Sequence, residues 1–188
     1  MSSSSTAPTP ARALQPGRVE VRRTTDGIPH LRAAGWRELG FGVGHVQAED
    51  ALCTLAESFV TYAGQRSWFF GAEARPAHNS TFGRSKNIDL DFFFRAFADD
   101  SVLRQYRAQN PPELHALVEG FVSGYNRYLA DIRKRNRSSS SPSCRDAPWL
   151  REIAADDLYR RFYAAQIAGG YARFIPEIVN AVPKQQQT

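Results

Sequence analysis

Residues 110–132, NPPELHALVEGFVSGYNRYLADI, decide the fold. Leu114, Leu117, Val118, Phe121, Tyr125, Tyr128, Leu129 and Ile132 recur at steps of three and four, which places them on one stripe of a helix. Asn110 is a cap candidate, Pro111 suits the first turn, and Glu113 follows three residues after the cap. The spacing predicts a long amphipathic helix whose apolar face must be covered by other elements.

Candidates for that cover lie on either side in the sequence. Upstream, Ala48, Ala51, Leu52, Leu55, Ala56, Phe59 and Val60 repeat at the same steps between Ala48 and Ala63, with Gly64 where a left-handed cap is expected. The series Gly40, Gly42, Gly44 before it fits either a close backbone approach or a flexible entry loop. Downstream, a third helix is expected to begin near Asp156 and Asp157, whose charges suit a helix N-terminus, and to run through LYRRFYAAQIAGGYARF with a bend near Gly169. Asp89 and Asp91 are read as capping the helix that carries Phe92, Phe93 and Phe94, three core candidates. The only clear strand signal is VEVRRTTDGIPHLRA from Val19 to Ala33, a hairpin turning at Asp26-Gly27, with Pro29 at a strand end. The expected fold class is mainly α with a short N-terminal β-hairpin.

Composition sets the outer limits. With 188 residues, 42% apolar and 12% aromatic, the chain carries enough core formers for one domain of ordinary size. No apolar run approaches the ~18 to 20 residues of a membrane span, and the +5 net charge is too mild and too scattered to make nucleic acid a partner. Residues 1–17, rich in Ser, Thr, Pro and Ala, read as a flexible leader without the pattern of a secretory signal. Residues 18–182 read as the folded domain, with a solvent loop at 134–143, and 183–188 as a polar tail. Two cysteines exclude a disulfide scaffold or a zinc finger; Cys53, on an apolar helix face, is read as a buried thiol, while Cys144 is open to pairing with an unnamed partner in an oxidising compartment.

A catalytic set is not legible. His30, His45, His78 and His115 stand outside recognised motifs, and His115, off the main stripe, is expected to be exposed. The basic run Arg133, Lys134, Arg135 and Arg137 is read as complementing a helix end. The third helix is the most suggestive stretch: Phe162, Tyr163, Tyr171 and Phe174 frame Ala164, Ala165, Ala168, Gly169 and Gly170. Its bulk-free flank suits either an apolar ligand or a neighbouring helix at close range.

Several motifs together carry a family pattern. VEVRRTTDGIPHLRA, LGFGVGHVQAEDALCTLAE and GQRSWFFG between Val19 and Gly71, then DFFFR at 91–95, GFVSGYNRYLAD at 120–131 and CRDAPWLREIAADDLYRR at 144–161, resemble the α subunit of the penicillin acylase family. The branch they resemble most contains acyl-homoserine lactone acylases and aculeacin acylase. The resemblance runs from Arg18 to about Asn180 and implies the α subunit of an αββα N-terminal nucleophile hydrolase heterodimer, cut from a precursor near the 183–188 tail. It implies an amidohydrolase that deacylates N-acyl amides such as acyl-homoserine lactones, as in quorum quenching, with penicillin or lipopeptide deacylation as the alternative. The partners it implies are a larger β chain, whose first residue is the catalytic serine, and a small N-acyl amide; no catalytic residue and no cofactor is expected in this chain. Export to the periplasm or outside is implied.

By the same resemblance Phe162, Ala165, Gln166, Gly169, Gly170 and Phe174 contribute to an acyl pocket. Glu177 stands near the place of a calcium-binding glutamate, but three positions are missing before it and no metal is expected. A self-contained helical binding module is the rival from another class.

Overall fold

A computed structural model describes residues 17–78, 80–135 and 142–182. Residues 1–16 of the expected leader, 136–141 of the expected loop and the tail 183–188 lie outside the described residues.

The hairpin forms as read, with strands β1 (Val19–Arg23) and β2 (Pro29–Ala33) antiparallel and Val19 opposite Ala33. Gly27 takes a positive φ of 80°, and the Thr24 and Gly27 amides close the turn by donating to the Ile28 and Thr24 carbonyls. Arg23 then fastens the hairpin to the first helix, its Nη2 lying 2.6 Å from Glu49 and 2.8 Å from Asp50.

That helix, α1 (Trp36–Tyr62), begins a full three turns before the predicted Ala48, and the Gly40, Gly42, Gly44 series lies inside it rather than in an entry loop. Glycine costs a helix about 1 kcal/mol against alanine, and the structure shows what offsets that cost. The partner is α5 (Pro112–Lys134), the helix predicted from residues 110–132. A Cβ added at Gly40 or Gly44 would fall closer than 3.0 Å to the carbonyl oxygens of Leu117 or Phe121, and one at Gly120 or Gly124 would meet those of Arg37 or Phe41 equally closely. Four glycines, two per helix, thus let the backbones touch. Since the contact positions rise together in both helices, the two run parallel there. Ala51 leaves helical geometry (φ −149°, ψ 44°), so α1 kinks after the crossing and its second half, from Leu52 to Val60, packs apolar side chains into the core. The α5 cap differs by one residue from expectation: Pro111 is the N-cap, with Pro112 in the first turn, leaving the Asn110 side chain to donate to the Tyr106 carbonyl.

Between these helices lie α2 (Arg66–Phe70), α3 (Asn87–Phe97) and α4 (Asp100–Ala108). Asp89 caps its own helix by accepting from the Lys86 amide, but Asp91 does not. Asp91 is buried and accepts from the Arg66 and Ser67 amides at 2.8 Å each, capping α2 across the fold. Phe93 and Phe94 are core residues as read, while Phe92 is 62% exposed.

After α5 the chain returns through a turn at Cys144 to α6 (Ala155–Tyr171), a 3-10 turn (172–174) and α7 (Ile175–Val179). The expected bend near Gly169 is absent; α6 continues through both glycines and changes geometry only at Ala172. Two cores result. The larger joins α1, α5 and the start of α6 through Leu55, Phe59, Tyr125, Leu129, Leu158 and Tyr159; the smaller joins Leu90, Phe93 and Phe94 of α3 to Ala164 and Ile175.

Cys53 is not a free thiol. It is bonded to Cys144, with their Cα atoms 5.6 Å apart, tying the second half of α1 to the turn that follows α5. The one-sided apolar pattern around Cys53 placed it correctly on a packed face, but gave no information on which distant segment lies opposite. On either side of the expected solvent loop the chain is fixed: Lys134 closes α5, Arg133 donates to the Leu150 carbonyl at 2.9 Å, and Cys144 is bonded to Cys53.

Candidate functional site

Helix α6 presents a face that changes character along its length. Its first half turns Leu158, Tyr159 and Phe162 towards the larger core. One and two turns further on, the same side carries Ala165, Gln166, Gly169 and Gly170, three to four residues apart, and all four are exposed. Thus the stripe that starts against the larger core is left uncovered in the second half of the helix. The opposite side stays buried, with Ala164 against α3 and α7.

Of the six residues predicted for an acyl pocket, these four come together on one open surface. Phe162 stands at its inner end, half-buried against the larger core, so its ring is largely committed to packing. Phe174 lies past the helix end, in the 3-10 turn, 45% exposed with the Arg173 guanidinium 4.8 Å above its ring. A Cβ at Gly169 or Gly170 would meet nothing within 4 Å, so neither glycine is required by packing inside this chain.

Sequence reading missed the group that holds this face. Gln166 Nε2 donates to the Tyr106 hydroxyl at 3.0 Å. Tyr106, on α4, also packs edge-on against Tyr159 and Tyr163 of α6. Burial raises the Tyr106 phenol above its ordinary value, against the lowering effect of the Gln166 bond, so the hydroxyl keeps its proton at neutral pH. Sixty residues separate the pair, and no local spacing could have joined them.

The histidines do not assemble a nucleophile. His45 lies between the rings of Phe41 and Tyr128. His115 is half-buried rather than exposed, because its Nδ1 shares a hydrogen bond with the hydroxyl of buried Tyr159 on α6. Among the described residues no histidine bonds a serine, threonine or cysteine side chain. Glu177 is exposed on α7 and faces Arg84 at 3.4 Å, and no group of three or more His, Cys, Asp or Glu side chains arranged for a metal occurs among the described residues.

The penicillin amidase family model matches residues 18–167. The acyl-homoserine lactone acylase PvdQ of Pseudomonas fluorescens (strain Pf0-1) is 37% identical over 166 residues, covering 88% of this chain and 20% of that protein. PvdQ of Pseudomonas syringae pv. syringae (strain B728a) is also 37% identical, over 183 residues, covering 95% and 22%. Aculeacin-A acylase of Actinoplanes utahensis is 32% identical over 171 residues, covering 87% and 20%. In fold, the chain is similar to a thermostable penicillin G acylase from Alcaligenes faecalis, with a TM-score of 0.61 at 22% identity over 83% of this chain and 73% of that one. The chain spans about a fifth of the length of the curated relatives it matches.

Proposed function

We propose, since this chain belongs to the penicillin amidase family, that it is the α-subunit portion of an acylase that hydrolyses N-acyl amides together with a larger partner chain. The observation that carries the reading is the uncovered continuation of the core-facing stripe of α6 at Ala165, Gln166, Gly169 and Gly170. Burying an apolar surface is favourable, and small side chains on it leave volume for an acyl group between this helix and a second chain. The nucleophile and the oxyanion donors then belong to that second chain, and this one supplies one wall of the acyl pocket. An acyl-homoserine lactone is the first substrate, because the PvdQ enzymes share 37% of positions with this chain and aculeacin-A acylase 32%; penicillin and lipopeptide amides follow. The Cys53–Cys144 disulfide supports a periplasmic or secreted location, where such bonds persist.

The test is hydrolysis by the full-length protein of acyl-homoserine lactones of graded chain length, with phenylacetyl amides and penicillin alongside. Each buried methylene is worth roughly 0.8 kcal/mol, so activity should rise with chain length until the pocket is full. Gly170→Trp then probes this wall. The first added carbon there meets nothing within 4 Å in this chain, and the ring extends from the exposed face; turnover of long acyl chains should fall more than that of short ones. Equal losses at all lengths would remove α6 from the pocket. Expression of this chain alone as a soluble, cooperatively unfolding monomer would favour the self-contained binding module instead.

A further inference from the structure

Helices α4 and α6 are joined along their shared edge by charge and by rings. Arg107 of α4 lies 3.4 Å from Asp156 of α6, and Arg160 of α6 lies 2.8 Å from Asp100 of α4. Exposed ion pairs are individually weak, so the fit depends more on Tyr106, whose ring centroid lies 6.4 Å from that of Tyr159 and 5.7 Å from that of Tyr163, edge-on to both. The Gln109 amide and the Asn110 side chain donate to the Tyr106 carbonyl at 3.3 and 2.8 Å. Ring and backbone are thus both fixed, and the Tyr106 hydroxyl meets α6 at Gln166.

The hydrogen-bonding capacity of this pair is only partly used. Gln166 Nε2 gives one N–H to the Tyr106 oxygen at 3.0 Å; among the described residues its second N–H, its Oε1 and the Tyr106 O–H have no partner. Gln166 is exposed, and Ala165, Gly169 and Gly170 around it carry no polar side-chain atom. An acyl chain laid over this face would take the free amide groups out of water, and an unpaired amide in an apolar contact is costly. Plain hydrocarbon leaves an acceptor and a donor unmet. A hydroxyl meets both, since it donates and accepts at one atom, whereas an oxo group only accepts. Turning the amide over exchanges the roles of Gln166 and Tyr106 but leaves the same two functions free.

We propose, on the reading of α6 as one wall of an acyl pocket, that Tyr106 is a positioning residue for acyl selection: it fixes Gln166 so that the pair recognises a hydroxyl on the acyl chain. Tyr106 touches no reacting atom and acts through Gln166. Its hydroxyl restrains a long, exposed side chain beforehand, so the bonds to the substrate form without first ordering that side chain. A hydroxyacyl amide is therefore favoured over the plain acyl amide of the same length.

The experiment uses the full-length protein and acyl-homoserine lactones of one chain length that are plain, oxo-substituted, or hydroxylated at successive carbons. The wild type should hydrolyse the best-placed hydroxyacyl substrate with a kcat/KM about tenfold above that of the plain one, with the oxo substrate between. Gln166→Leu should abolish that ratio. Tyr106→Phe removes a single oxygen and should reduce the ratio about threefold, by raising KM for the hydroxylated substrate more than for the plain one. Hydrolysis without preference at any hydroxyl position overturns the proposal and leaves the acylase reading standing. So does an equal loss on every substrate in Tyr106→Phe with a lowered melting temperature, which would make Tyr106 a prop for α6 alone. If no acyl amide is hydrolysed, the acylase reading falls and the proposal falls with it.

Discussion

Asp157 shows how a single carboxylate can hold a helix start. It is 6% exposed, accepts two hydrogen bonds from Arg151 at 2.7 and 2.9 Å, and takes a third from the Ala154 amide at 2.9 Å. Burial alone would raise its pKa; the Arg151 bonds, the Ala154 amide and the charges of Arg151 and Arg160 together outweigh that and hold it below the usual carboxylate range. A depressed value in the folded state means that the stabilisation is complete above the unfolded value near 3.9 and is lost as pH falls through the folded value. The protein should therefore lose stability on acidification below about pH 4. Asp157→Asn should cost about 1–3 kcal/mol at pH 7 and flatten that acid limb, as read from urea midpoints across a pH series. An unchanged limb would assign the acid sensitivity to other carboxylates. The sequence showed Asp157 as a helix-start residue, but not its Arg151 partner, because a cap is local chemistry and a bidentate pair depends on how the preceding turn folds. Asp91 makes the same point more sharply: its type and position announced a cap, and only the tertiary structure shows that the capped helix is α2.

At the level of elements, the parallel crossing of α1 and α5 is the most tightly specified contact. Gly40, Gly44, Gly120 and Gly124 admit no added carbon without displacing backbone, and backbone cannot rotate away as a side chain can. Gly120→Ala should improve local helix propensity by about 1 kcal/mol and still destabilise the protein by roughly 1–3 kcal/mol net, because the helices must separate. Chemical denaturation of Gly120→Ala beside Gly170→Ala separates the two effects: the second position is open, so alanine there should be neutral or stabilising. Periodicity made α5 and the second half of α1 readable, since both carry one continuous apolar stripe. It could not extend α1 back to Trp36, because glycines weigh against a helix locally and are recovered only through their partner. The candidate face on α6 was half legible for a related reason. Its small residues are visible in sequence, but their exposure, and the hold of Tyr106 on Gln166, arise from how α4 and the larger core pack against α6.

For the molecule as a whole, the Cys53–Cys144 bond matters most. It closes a loop of 91 residues that contains α2 to α5, and such a constraint on the unfolded chain is worth about 4 to 5 kcal/mol in the loop-entropy model. Cys53→Ser with Cys144→Ser should lower the unfolding free energy by an amount of that order, and a reductant should do the same to the wild type but not to the double variant. Equal response of both to reductant would place the effect elsewhere. Composition could bound the redox chemistry but not pair the two sulfurs, since their apposition depends on the kink at Ala51 and on the return of the chain after α5.

The glycine crossing has a further consequence in time. Arg37 and Glu119, which form an ion pair across it, are 82 residues apart in the chain. At synthesis rates of about 5–20 residues per second, the first half of α1 leaves the ribosome some 4 to 16 s before its partner. For those seconds a glycine-grooved helix has no surface to close on, and a nascent chain in that condition is a natural client for a holding chaperone.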